Sequence, residues 1–423
     1  MKRALVLIGA FLLTACPPPL TLPPQADGGS GGFPDAGLLP DGGPSTGAKV
    51  TWYRDVAPLT QAHCQGCHSA GGIAPFALSS YAEARVQAPR MANAVSSGLM
   101  PPWMPSPNCQ SFRDSRRLTA EQIDVFNRWN AQGAPEGDPA DAPAPFNGGA
   151  GLPVVSATLT PSAAYTPSST LTDDYRCFIL NPALTVDRDL IAYEIQPGVR
   201  SMVHHVILYG AGQTEAQALD DQEAGPGWTC FGGPGTGNPQ QMLGGWVPGT
   251  STVVYPATTG VQMGMGRVIV MQVHYNRLNI AGAPPPDLTT VKLQYADNPV
   301  AKRATILPLA DGSFHVPVGK VGYSHSASTN APPVLTTLWG VLPHMHTHGK
   351  KINVTYAGNT CLVDIPAWDF HWQQMYFYQQ PITLTPGNDV TLTCTWDNPG
   401  STVLSWGEKT TDEMCLNYFY LTP

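Results

Sequence analysis

From about residue 152 onward, apolar and polar positions alternate in short runs separated by turn residues. Ala192-Tyr193-Glu194-Ile195, Val203 to Tyr209, Val268 to His274, Thr290 to Tyr295, Lys351 to Tyr356 and Val390 to Trp396 are runs of this kind. A side-chain period of two belongs to a β-strand, and no helical period of useful length interrupts the series. The pattern predicts two all-β sandwiches, over 153–299 and 300–423.

Upstream the pattern changes. Thr119 and Gln122 form a capping box, and Ile123, Phe126 and Trp129 then fall on one helical face that Gly133 closes. Ser80 to Ser97 reads as a helix interrupted at Pro89, and Asp55 as the cap of a first helix. Residues 49–140 are therefore expected to form a small all-α domain, with 141–152 as a linker rich in Pro, Ala and Gly.

Residues 17–48 hold few large apolar side chains among Pro, Gly, Asp and Ser, which predicts a flexible tether. Ahead of them, Lys2-Arg3 precedes an apolar stretch, Ala4 to Leu13, that is short for a membrane span. Leu13-Thr14-Ala15-Cys16 resembles a bacterial lipobox. That implies a signal peptide over 1–16, lipid on Cys16, and a body held at the cell envelope in an oxidising compartment. Pro17 follows the cysteine where Asp would favour the inner membrane, so the outer membrane is expected.

Composition agrees. The chain has 423 residues, with 43 Gly and 43 Pro, so turns are frequent and a β-rich body is favoured. The formal charge is -8 and no basic run is longer than a pair such as Lys2-Arg3, which argues against nucleic-acid binding.

Cys64-Gln65-Gly66-Cys67-His68 is a C-x-x-C-H motif, the attachment signature of haem c. Two thiols on one short turn add to the haem vinyl groups, and the next residue offers its imidazole to iron. No second C-x-x-C exists to complete a zinc site. Met100, in the loop Gly98-Leu99-Met100-Pro101-Pro102-Trp103-Met104, is the expected distal ligand, with Met104 as the alternative.

Histidines mark the β region. Pro343-His344-Met345-His346-Thr347-His348-Gly349-Lys350 follows an apolar run, and an extended strand would place His344, His346 and His348 on one face. His204 and His205 are adjacent inside a strand, so both reach one metal only across a bulge or a strand end. His274 ends a further strand, and Asp412-Glu413-Met414-Cys415 lies near the C-terminus. His63, His315, His325 and His371 sit in unremarkable contexts and read as ordinary surface or core residues.

The order His-His, Gln-x-His-Tyr, His-x-His-x-x-Gly, Asp-Glu-Met-Cys resembles the type II copper, ascorbate-dependent monooxygenases, the family of peptidylglycine α-hydroxylating and dopamine β-monooxygenases. The resemblance covers roughly residues 170–423. It implies two jelly-roll sandwiches with one copper on each. His204, His205 and His274 would hold the electron-transfer copper, and His344, His346 and Met414 the catalytic one, with Tyr418 matching a further family position. The spacing to Gly349 selects His344 with His346, while His346-Thr347-His348 matches the family's tripeptide and keeps His348 open. Imidazole suits both oxidation states of copper, and a thioether favours the reduced one.

The resemblance also implies bridges between Cys177 and Cys230 and between Cys394 and Cys415. Cys109 and Cys361 remain, either paired so as to tie the haem domain to the second sandwich, or both free. Two positions depart from the peptide-amidating members: Leu342 stands where an arginine grips the substrate carboxylate, and Leu416 replaces an Asn. The expectation is a haem-linked dicopper monooxygenase acting with O2 on a C–H bond of a small or apolar substrate. Electrons would pass from a redox partner to haem c, then to the three-histidine copper, then to the His/Met copper. The alternative is a copper-binding or electron-transfer lipoprotein without oxygenase activity.

Overall fold

The computed structural model describes residues 49–423 except 73, 146–150, 231, 238–240, 249, 251, 278–279 and 408–410. The signal peptide, the lipid site at Cys16 and the tether lie outside the described residues. Residues 49–423 form one compact unit.

The helical part begins with a π-helical turn, Trp52–Val56, that runs into α1, Ala57–His63. Asp55 does not cap it from outside. The cap position is Thr51, and the Asp55 carboxylate reaches back from within the first turn to accept the Thr51 N–H at 2.7 Å. Helix α2, Tyr81–Ser96, is not interrupted at Pro89 but continues through it. The lost hydrogen bond and the ring clash cost about 3 kcal/mol in an ordinary helix. A capping box between Ser80 and Glu83 offsets this, as does burial of Ala84, Ala88, Met91, Ala92 and Val95. Helix α3, Ala120–Ala131, is capped by the Thr119/Gln122 box and buries Phe126 and Trp129 against Trp52 and Val95 in one small core.

Between α2 and α3 the chain leaves this core. Residues 103–116 lie along the second sandwich as a strap. Phe112 stacks on Tyr378 at 5.1 Å and Trp103 meets Tyr376 edge-on at 5.2 Å. Arg113 N–H donates to Phe377 O at 2.7 Å, Gln379 N–H to Ser111 O at 2.9 Å, and Cys109 is bonded to Cys361. The strap thus continues the sheet past its edge strand Tyr376–Thr383.

The first sandwich pairs two sheets. One runs in the order Trp228–Thr229, Asp173–Leu180, Arg267–Asn276, Val203–Gly212, Gln241–Trp246. The other runs Ala157–Leu159, Thr290–Tyr295, Arg188–Gln196, Thr259–Met263, Lys302–Arg303, with Thr252–Val254 also on Arg188–Gln196. The last of these strands carries the first sandwich to Arg303. A short helix, α4 at Gln213–Asp220, breaks the expected all-β run; it buries only Ala216, too little to leave a helical period in the sequence.

In the second sandwich one sheet runs Thr305–Ala310, Leu416–Thr422, Thr337–His344, Tyr376–Thr383. The other runs Tyr323–Asn330, Asp389–Trp396, Gly349–Tyr356, Thr360–Ile365. Alternate residues of Asp389–Trp396 (Val390, Leu392, Cys394, Trp396) fill the space between the sheets. Among the described residues no helix is long and apolar enough to cross a membrane.

Candidate metal centres and the cavity between them

The first centre is built on three neighbouring strands. His205 and His274 face each other in the register between Val203–Gly212 and Arg267–Asn276, and the register shifts between Val203 and His205. That bulge turns His204 to the same side as His205, which a regular strand forbids. His204 Nδ1 lies 3.3 Å from His205 Nδ1, and His274 Nδ1 lies 3.4 Å from it; all three donors fall within 4.8 Å of one another. His274 Nε2–H donates to Asp173 Oδ1 at 2.8 Å, and Tyr175 stacks on the His274 ring at 4.2 Å. The carboxylate fixes the tautomer that leaves the His274 Nδ1 lone pair facing its neighbours. Burial lowers the pKa of His204 to about 3 and holds His205 well below its ordinary value. Three neutral imidazoles, His204 and His274 buried and His205 half-buried, with converging lone pairs repel one another unless a cation lies between them, so the group fits copper.

The second centre sits where the strand Thr337–His344 ends. The strand does not run on to place three histidines on one face: His346 and His348 belong to the turn that follows. Met345 points into the core, His346 is buried, and His348 N–H donates to Glu413 Oε1 at 2.6 Å. His344 Nδ1 donates to the Gln373 amide oxygen and His346 Nδ1 to Asp412 O at 3.1 Å, so Nε2 is the atom each would offer a metal. Burial brings the His344 pKa down to about 3. Met414 is buried immediately before the strand Leu416–Thr422, and Cys415 beside it is bonded to Cys394 in the opposite sheet. Two imidazoles with a thioether suit reduced copper.

A cavity of about 880 Å³ joins the centres, with His205 on one side and His344, His346 and Met414 on the other. Tyr418 and Leu342, paired across neighbouring strands, form part of its wall; His348 does not.

Phe370 and His371, on a turn of the second sandwich, were not legible as site residues. The Phe370 ring stacks on His204 at 6.0 Å and meets His346 edge-on at 6.0 Å. His371, expected to be ordinary, packs against His204 at 5.3 Å with its Nδ1 on Asp369 at 2.8 Å. They come from the sandwich opposite His204, so no local spacing announces them.

In the helical part, Cys64 and Cys67 are unbridged. Burial pushes the Cys64 thiol up to about 12; it also raises Cys67, with the charges of Arg116 and Arg200 opposing. His68 Nδ1 donates to Phe76 O at 3.0 Å and its ring lies against Phe76, which leaves Nε2 for iron. The motif therefore has the free atoms that haem attachment requires. Met100 is half-buried after α2, its N–H on Ala94 O at 3.1 Å. Met104 Sδ accepts the Asp369 N–H at 3.2 Å and packs on the second sandwich.

Three disulfides are present: Cys177–Cys230, Cys394–Cys415 and Cys109–Cys361. The last joins the strap to the second sandwich.

Comparison with known proteins places this geometry. Residues 323–422, most of the second sandwich, match the model of the copper type II ascorbate-dependent monooxygenase C-terminal domain. Relatives extend the likeness upstream. The chain is 22% identical to DBH-like monooxygenase protein 2 of Mus musculus over 275 residues, covering 59% of this chain and 43% of that protein. It is 24% identical to dopamine beta-hydroxylase of Rattus norvegicus over 281 residues, with 59% and 43% covered. It is 23% identical to tyramine beta-hydroxylase of Caenorhabditis briggsae, with 54% and 41% covered. The chain thus spans about two fifths of the length of these relatives. The infectious bursal disease virus VP2 subviral particle aligns at a TM-score of 0.18 with 12% identity over 63% of this chain and 70% of that chain, which carries nothing about the fold.

Proposed function

We propose that the chain is a copper-dependent monooxygenase that inserts one oxygen atom of O2 into a C–H bond of a small substrate. The observation that carries this reading is one cavity lined on one side by His205, of the three-imidazole group, and on the other by His344, His346 and Met414, two imidazoles and a thioether. Copper at these sites would supply one-electron chemistry and oxygen activation. The rest is the work of the chain. Asp173 orients His274, and Gln373 and the Asp412 carbonyl orient His344 and His346. Met242, Leu342, Met375, Phe377 and Leu416 wall the cavity and keep bulk water from the substrate. Relatives named for dopamine and tyramine act on small aromatic molecules, and a cavity of about 880 Å³ accommodates that class.

Cys64, Cys67 and His68, with Met100, would hold haem c, which would supply one-electron chemistry and let electrons enter through the helical part. They would pass to the His204/His205/His274 centre and then to the His344/His346/Met414 centre. The body is carried at the outer membrane by lipid on Cys16.

The test is oxygen uptake by the haem-matured, copper-loaded chain with ascorbate, screened over small aromatic compounds. Uptake coupled to hydroxylated product and lost in Met414→Ala supports the reading. Copper bound at both centres with no product from any compound contradicts it and leaves an electron-transfer protein.

A further inference from the structure

The cavity wall is not made by the sandwiches alone. Trp103, Arg113, Asp114 and Arg116 of the strap line it. Among the described lining residues these two arginines are the only Lys or Arg, and Asp114 is the only Asp or Glu. The two cations are engaged differently. Arg113 lies over the Phe377 ring at 5.8 Å. Arg116 is half-buried, and its Nη2 donates to Gln374 Oε1 at 2.7 Å. Neither forms an ion pair with Asp114, which is exposed in the left-handed region at φ 54.

A half-buried guanidinium without a carboxylate partner has lost much of its hydration and gained only a neutral amide. Its remaining N–H groups form a planar fork suited to two carboxylate oxygens. Its position is also relevant to the chemistry: Gln374, which holds Arg116, follows Gln373, which holds His344. The cation is therefore held by the residue next in the chain to the anchor of the second centre.

We propose that the cavity selects an aromatic or apolar molecule bearing a carboxylate, and that Arg116 of the strap binds that carboxylate. This rests on the monooxygenase reading and gives its substrate a charge. A primary ammonium group would meet net positive charge in this wall, with only the exposed Asp114 to oppose it. The strap is then a specificity element as well as a connection, held in place by Cys109–Cys361.

The experiment compares phenylacetate with phenethylamine by titration calorimetry on the haem-matured, copper-loaded full chain, with copper counted on the same samples. Phenylacetate is expected to bind at least about tenfold more tightly, one charged hydrogen-bonded pair being worth that much. Arg116→Gln should abolish the preference and Arg116→Lys should keep part of it; thermal melts on both variants establish folding. Equal binding of the two probes, a preference for the amine, or an undiminished carboxylate preference in folded Arg116→Gln would each overturn the proposal. If Arg116→Gln does not fold, a reduced but surviving preference in folded Arg116→Lys supports the proposal, and a preference equal to wild type in folded Arg116→Ala overturns it. The copper count separates the two readings: a carboxylate preference without bound copper keeps the anion site and defeats the monooxygenase.

Discussion

The backbone N–H of His346 donates to Glu413 Oε2 at 3.1 Å. The same carboxylate accepts the His348 N–H at 2.6 Å and Trp396 Nε1–H at 3.0 Å, in a fully buried position beside Met414. One side chain therefore ties the turn carrying His346 to the segment carrying the thioether. Glu413→Leu strands three donors, two of them buried, at about 1–3 kcal/mol for each buried one, less than additively. The expected result is a several-kcal/mol loss in urea unfolding of the metal-free chain. Glu413→Gln, which keeps one acceptor, should lose less, and a Leu variant as stable as wild type would contradict this role.

The Phe370 ring is in contact with a histidine of each centre. Phe370→Ala should cost toward the lower end of the roughly 3–5 kcal/mol typical of buried aromatics, because one side of the ring faces the cavity. Phe370→Leu should recover most of it. Cu(II) electron paramagnetic resonance of the Ala variant is expected to show both signals perturbed; a change confined to one would place the ring with a single centre.

The imidazoles also set a pH dependence. His204 and His344 sit near about 3 in the folded chain, against 6.5 for an ordinary histidine, and burial lowers His205 and His274 as well. Between those values the unfolded chain binds more protons, so stability of the metal-free protein rises with pH and is lost as pH falls from 6.5 toward 3. Glu413, raised by burial to about 7, acts oppositely between 4.5 and 7, but it is one group against four. Melting temperatures of the metal-free chain should fall on acidification through this window, and His204→Gln should flatten the slope.

The Cys109–Cys361 bridge spans 252 residues and Cys394–Cys415 spans 21. In the chain-entropy description these are worth up to about 5 and 3 kcal/mol. Replacing Cys109 and Cys361 by Ala should release the strap before the sandwiches unfold. Limited proteolysis is then expected to cut within 98–118 in the variant and not in wild type.

Much of this architecture was written locally. Strand alternation gave both sandwiches, the Thr119/Gln122 box gave α3, and the adjacent pair His204-His205 on one metal called for a bulge or a strand end, of which the register shows the bulge. What was not legible depends on tertiary contact. Pro89 is tolerated because the helix around it is capped and buried. The turn after His344 overrides the period of two because Met345 goes to the core and Glu413 takes the N–H groups. His371 and Phe370 reach the first centre from the opposite sandwich. Arg116 faces the cavity only because the strap leaves the helical core.

Copper content tests the central claim most directly. The chain from Lys49 onward, matured with haem, loaded with copper and freed of excess, should carry two coppers, falling to one in Met414→Ala and to one in His205→Ala. A wild-type chain that keeps no tightly held copper would contradict the account.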